Sequence, residues 1–237
     1  MPTPRRLLFT IKDAAKKRGI SYVIRKGAYV WLYVMYYKLF GRTSSFSFQG
    51  NTYHYFHDII NNTWMNERSV EIPIMMEIVQ QYKGKKILEV GNVLSNYFDI
   101  DRDVLDKYER DDRIINQDIV DFNSNEKYDL IISISTLEHV GWDETPRDDT
   151  KIPRTIENLK RLVKSSGMIA ITLPLGYNSV LDKLLKEGIV KFQKQYYLKR
   201  ISKKNEWQEA SWDEVQNVRF GSPYPGANGL VIGFIHG

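Results

Sequence analysis

The 237-residue sequence contains no cysteine. Disulfides, thiolate metal sites and cysteine nucleophiles are therefore excluded, and the chain is compatible with a reducing cytosol. Histidine is scarce, at four residues. His54 and His57 lie three apart in a stretch that reads as a strand, so they point to opposite faces and make no metal pair. The ten apolar and aromatic residues AYVWLYVMYY (28–37) fall well short of the roughly 20 that a spanning helix needs. They also sit too deep, without a small-residue cleavage site behind them, to make a secretory signal.

Acid is nearly missing from one region. Residues 1–42 hold ten Lys and Arg against the single acid Asp13, a charge of +9, while the remainder carries 24 bases and 28 acids, or −4. The net +5 therefore belongs to the N-terminus. Such an arm suits an anionic partner: phospholipid, nucleic acid or another protein. Two readings of 28–37 stand side by side. One is a helix packed on the main body. The other is an interfacial segment, with Tyr and Trp at headgroup level and Arg18, Arg25, Lys26, Lys38 and Arg42 against anionic lipid. The expected location is cytoplasmic, with peripheral attachment to the inner face of a membrane; nucleic acid is the less expected partner.

With 42% hydrophobic residues the chain can fill a core. Its organisation reads as three parts: a basic, aromatic extension (1–42), a hairpin and lead-in helix bordering the site (43–84), and an α/β body (85–237). In SFSFQGNTYHYFHD (45–58), Phe46 and Phe48 alternate, Gln49-Gly50-Asn51 offers a turn, and Tyr53 and Tyr55 alternate again, which predicts a β-hairpin. Residues 63–82 read as helical towards their end. The cluster Glu67, Arg68 and Glu71 at its start is either a solvated first turn or a lid over the site.

Strands are expected at 85–90, 104–109, 114–119, 128–136, 168–174, 196–202 and 229–235. Helices are expected at 153–167, with Gly167 near its stop, and at 180–188; Ser211 and Glu214 make a capping box. Alternation of apolar strands with helices implies a Rossmann-like α/β fold: a seven-stranded, mostly parallel sheet with helices on both faces. Ligands of such sheets bind at the carboxyl ends of the strands, where the topology reverses.

Glycine is lacking where it matters most. KILEVGNVLSNY (86–97) opens like a first strand and cofactor loop, yet Val93 and Ser95 stand where further glycines are expected after Gly91. Gly91 and Asn92, which tolerates positive φ, can still make the turn. Acids follow at successive strand ends: Asp106 fifteen and Glu109 eighteen residues beyond Gly91, then Asp118, then Ser135-Thr136-Leu137-Glu138-His139.

Taken in order, ILEVG, LDKYE, INQDIVDF, YDLIISISTLEHV and GMIAITLP resemble the class I S-adenosylmethionine-dependent methyltransferases over roughly residues 85–235, about two-thirds of the chain. The resemblance implies S-adenosylmethionine as cofactor. It places Glu89 and Gly91 beside its methionine part, Asp106 on the ribose diol, and Asp118 and Ile119 at the adenine; Asn92 and Ser135 are expected cofactor-binding residues as well. Without cysteine, methylation of a pyrimidine carbon through a covalent adduct is excluded. The Asn/Asp-Pro-Pro-aromatic motif of enzymes that methylate nucleic-acid amino groups is absent after the fourth strand. Redox chemistry with NAD fits less well, because G-x-G-x-x-G fails.

Methyl transfer to oxygen or nitrogen of a small molecule, glycan or lipid-linked intermediate remains. NERSVEIP (66–73) together with GNVLSNY resembles poorly characterised methyltransferases associated with surface glycans. His139 is the expected general base, with Glu138 as its orienting partner or as base itself. Arg68 and the loop 141–150 are expected to border the acceptor, and Trp64 and Trp142 are candidates for stacking on it. The competing reading is a non-catalytic domain of this type serving as a membrane-docked interaction module.

Overall fold

The computed structural model describes Lys16, residues 19–36 and residues 44–237. Most of the sequence-based expectations for 1–18 and for 37–42 lie outside the described residues. Helix α1 is Ile20–Tyr36, and the expected hairpin is present as β1 (Ser45–Phe48) and β2 (Asn51–His54). Its turn is two residues long, Gln49 and Gly50, both at positive φ, and Asn51 already belongs to the strand.

Helix α2 (Arg68–Gln81) contains Pro73. Proline has no N–H to give the carbonyl one turn back, that of Ser69. The backbone N–H of Phe56 donates to that carbonyl at 2.8 Å, so the missing helix bond becomes the tie between hairpin and helix.

A seven-stranded sheet follows. Its strands are β3 (Ile87–Val90), β4 (Asp103–Leu105), β5 (Tyr128–Ile134), β6 (Val163–Pro174), β7 (Lys194–Arg200), β8 (Trp207–Ala210) and β9 (Gly229–His236). The order across the sheet is β4-β3-β5-β6-β9-β7-β8. Strands β4, β3, β5 and β6 are mutually parallel, β9 runs against β6, and β7 and β8 alternate beyond it. Five strands thus share one direction. The chain builds outward from β3 to β4, then returns to lay β5 on the other side of β3, so the topology reverses between β3 and β5.

Alternate residues of the central strands feed two cores, one on each face. Leu88, Val90, Ile131, Ile169 and Ile171 meet α3 (Lys151–Leu162) and α4 (Ser179–Lys186). Ile87, Leu130, Ile132, Ile134 and Ala170 meet α2 together with Phe46 and Phe48.

The strand number agrees with expectation, but the membership differs. No strand forms at 114–119; only a bridge between Leu105 and Ile115 marks it, and β4 ends at Leu105 rather than at 109. The cause is Asn116, whose Nδ2 donates to the carbonyls of Asp106, Lys107 and Glu109 at 2.8–3.2 Å and winds that segment into a loop. The seventh place is taken by β8, which was not expected. Helix α3 stops at Leu162 and Val163 turns extended, so Gly167 lies within β6. There a Cβ would come within 2.9 Å of the Asp129 and Tyr128 carbonyl oxygens, which is why glycine stands at that position. Around α5 (Trp212–Val215), Ser211 N and Oγ both donate to Glu214 Oε2, at 2.7 and 2.9 Å.

Asp182 in the first turn of α4 accepts from Gly176 N at 3.1 and 3.2 Å, and burial pushes its carboxyl up to about 6. Between about pH 4 and 6 the folded chain keeps a proton that the unfolded chain releases, so stability falls as pH rises through that window. Asp182→Asn keeps an acceptor and removes the charge. It is expected to gain about 1 kcal/mol at neutral pH, well below the full shift because the side chain is partly exposed, and nothing near pH 4. Urea midpoints at both pH values check this; an equal gain at both would discard the titration argument.

Candidate functional site

The carboxyl ends of the parallel strands carry two groups of polar side chains, one on each side of the reversal point. The first surrounds the loop leaving β3. Gly91 takes φ +85°, and a Cβ there would lie 2.7 Å from Thr136 Cγ2 and closer still to Oγ1. Glycine is demanded by backbone and neighbour alike. Asn92 keeps negative φ, so Gly91 alone makes the left-handed turn.

Glu89 is fully buried and organises the loop: its Oε1 accepts from Val93 N and Leu94 N at 2.9 and 2.7 Å, and its Oε2 accepts from Arg102 Nε at 2.5 Å. Two loop amides are thus fixed by one side chain. Asn92 Nδ2 donates to Glu109 Oε2 at 2.9 Å, while Asn92 Oδ1 is buried with no partner among the described residues. Asp106 Oδ1 caps the next turn, accepting from Tyr108 N and Glu109 N at 2.8 Å each.

The residues expected at the adenine, Asp118 and Ile119, make bonds of their own within the chain. Asp118 stands in a loop and both its oxygens are engaged. Oδ1 accepts from Val120 N at 3.1 Å, and Oδ2 pairs with Lys151 Nζ at 2.5 Å and Lys107 Nζ at 3.0 Å. The two lysines also hold Glu144, at 2.6 and 2.7 Å. Burial works against the Asp118 charge, but the lysines outweigh it and hold the carboxyl below its usual range. Ile119 is a core residue, its carbonyl bonded by Asn158 Nδ2.

The second group lies beyond β5. Sequence left the start of α2 open between a solvated turn and a lid; the structure buries it. Glu71 is fully buried. Its Oε1 accepts from Thr172 Oγ1 at 2.6 Å and from Ser135 Oγ, and its Oε2 pairs with Arg68 Nη1 at 2.7 Å. Arg68 also donates to the carbonyls of Ile134 and Ser135, at 3.1 and 3.4 Å, capping the end of β5. Ser135 sits at φ +37°, a strained position held by these bonds and by its N–H to Thr172. Glu67 Oε2 accepts from Ala227 N at 3.0 Å, and burial followed by repulsion from Glu71 raises its carboxyl.

Glu138 is fully buried, and its Oε2 has no partner among the described residues. Burial pushes this carboxyl well above the usual range, against the pull of Arg68. Its neighbour His139 is half exposed, with Nε2 3.5 Å from Glu138 Oε1. The group that orients the ring is Asp143, whose Oδ2 lies 2.6 Å from Nδ1. Tyr177 OH donates to the same oxygen at 2.7 Å and sets its ring edge-on to the imidazole, 4.8 Å between centroids. Sequence reading missed both. The i, i+4 spacing of His139 and Asp143 was the available signal; Tyr177 gave none. Trp64 is a buried core residue, while Trp142 is partly exposed with the Arg147 guanidinium over its ring at 3.3 Å.

The structure thus brings Glu89, Gly91 and Asn92 together, with Asp106 at the neighbouring strand end. It brings Arg68, Ser135, Glu138 and His139 together on the other side. Asp118 lies in the lysine network with Glu144.

No family model and no curated protein matches this chain. Solved structures do. N-methyltransferase NodS from Bradyrhizobium japonicum, in complex with S-adenosyl-L-homocysteine, is similar over 71% of this chain and 85% of its own, at 13% identity and a TM-score of 0.45. A possible histamine N-methyltransferase from Thermotoga maritima is similar over 69% and 87%, at 11% identity and a TM-score of 0.42. A TehB-like S-adenosylmethionine-dependent methyltransferase from Corynebacterium glutamicum is similar over 69% and 86%, at 18% identity and a TM-score of 0.39. The Rossmann-like sheet that the sequence predicts is read from the chain's own strand order and directions, with four adjacent parallel strands, β4-β3-β5-β6.

Proposed function

We propose that this protein transfers a methyl group from S-adenosylmethionine to oxygen or nitrogen of a small-molecule, glycan or lipid-linked acceptor. The observation that carries the reading is the loop at the reversal point: a glycine held at positive φ against the Thr136 side chain, followed by a buried acceptor, Asn92 Oδ1, that lacks a donor among the described residues. A buried acceptor without a partner costs about 1–3 kcal/mol, and a hydroxyl or amino group of a bound nucleoside would satisfy it. Asn92 and Asp106 would hold the ribose, and Gly91 would leave room for the methionine part. Bound there, the cofactor supplies an electrophilic methyl group on a positively charged sulfur.

The chain's own contribution is positioning and proton removal. Asp143 fixes the His139 ring through Nδ1, which leaves Nε2 on the Glu138 side to take the acceptor's proton. Glu138 is buried away from solvent, its carboxyl raised by that burial, whereas His139 is half exposed, and we take His139 as the base. Arg68 fixes the end of β5, where this pair begins.

The test is calorimetric titration with S-adenosylhomocysteine. Wild type is expected to bind. Asn92→Ala and Asp106→Asn, the second of which keeps the turn cap, are each expected to weaken binding about tenfold. Absence of binding to wild type would leave the non-catalytic interaction module as the function. The lysines on Asp118 and the two loop amides spent on Glu89 favour that second reading.

A further inference from the structure

The N-terminal helix presents a surface that methyl transfer does not use. Of the eleven most exposed large apolar residues among those described, five lie on α1: Ile20, Ile24, Trp31, Leu32 and Met35, from 71% exposed at Ile20 to 41% at Met35. The other six are scattered over the body. Ile20, Ile24, Trp31 and Met35 are spaced by four, seven and four residues, so they form one stripe along a helix, with Leu32 beside it. The helix contains no acid. Around it the sequence is strongly basic, with ten Lys and Arg against one Asp in residues 1–42.

An exposed apolar stripe is costly in water and calls for a cover. Nucleic acid matches the charge but not the stripe. A second copy matches the stripe but would bring one +9 segment against another. An anionic bilayer matches both, taking apolar side chains below its headgroups and cations at its phosphates. Among the described residues no helix is long and apolar enough to cross a membrane: the 17 residues of α1 rise about 26 Å, against a hydrocarbon core of about 30 Å, and include Arg25 and Lys26.

We infer that α1 lies in the plane of an anionic membrane surface, with Ile20, Ile24, Trp31 and Met35 inserted and the flanking lysines and arginines on lipid phosphates. This inference stands independently of the proposed chemistry. Docking of this kind would hold the body beside acceptors that reside in a bilayer.

The test uses the full chain and vesicles of phosphatidylcholine with or without phosphatidylglycerol, read by co-sedimentation at low and high salt. The expected result is binding only where phosphatidylglycerol is present, weakened by salt because the attraction is screened. Trp31→Ser is expected to weaken partitioning about tenfold or more, and Arg25→Gln about fivefold. Thermal unfolding and S-adenosylhomocysteine titration of the same variants are expected to match wild type, since both positions are exposed. Equal sedimentation with and without the anionic lipid would overturn the inference. So would concentration-dependent self-association that Trp31→Ser abolishes in the absence of vesicle binding, which would give the stripe to a second copy.

Discussion

Gly91→Ala is expected to lower stability by about 2–5 kcal/mol and to abolish binding of S-adenosylhomocysteine. Two costs add. An L-residue at φ +85° pays about 1–2 kcal/mol for its backbone. The new methyl also meets the Thr136 side chain, and overpacking of this kind costs about 1–3 kcal/mol. The costs can be separated. Thr136→Ala removes both colliding atoms, Oγ1 and Cγ2, so the double variant is expected to recover the steric part and to keep the backbone part. Urea unfolding reads stability and calorimetry reads binding. A single variant with wild-type midpoint and affinity would remove the reversal-point loop from the proposed site.

Glu71→Ala is expected to cost about 3–5 kcal/mol, a large share of the about 5–15 kcal/mol that keeps a domain folded. Three groups lose their acceptor at once: the Arg68 guanidinium, Ser135 Oγ and Thr172 Oγ1. The loss of a buried partner is worse than the loss of the whole pair, because a charge is left without compensation. Arg68→Met combined with Glu71→Met is therefore expected to be more stable than either single change, measured by urea midpoints. A double variant at the sum of the two singles would mean that the pair is not coupled and that the hub is a set of separate bonds.

What the sequence revealed and what it hid follow from range. Strands β3, β5, β6 and β9 were legible because each is a run of Val, Ile and Leu, and α3 because Ile156, Leu159 and Leu162 repeat at helical spacing. The false third strand had the same apolar start, Ile114 and Ile115, but a single asparagine bonding three nearby carbonyls turned it into a loop. Strand β8, Trp207–Ala210, is four residues long with polar residues in the middle and exists through its pairing with β7.

Within the site, Gly91 and Glu89 were legible because one motif holds both. The Glu71 hub was not, because its bonds run 64 residues to Ser135 and 101 to Thr172. The clue was a carboxylate inside the apolar stretch Val70–Ile72, where a solvated first turn would not place Val and Ile on either side. The lysine partners of Asp118 were hidden for a related reason: Lys151 approaches it from a helix that begins 33 residues later.

The two outer strands of the sheet have a further consequence. Strand β4 is three residues long, and beyond it Leu105 bridges Ile115 in the loop that follows. At the other margin β8 is four residues long, and the hairpin turn is tied to it by Gln49, whose N and Nε2 donate to Glu209 at 2.9 and 2.8 Å. Neither margin offers a long row of open backbone groups, the template on which foreign strands add and aggregates grow. Short margins of this kind make the sheet a poor template for strand addition.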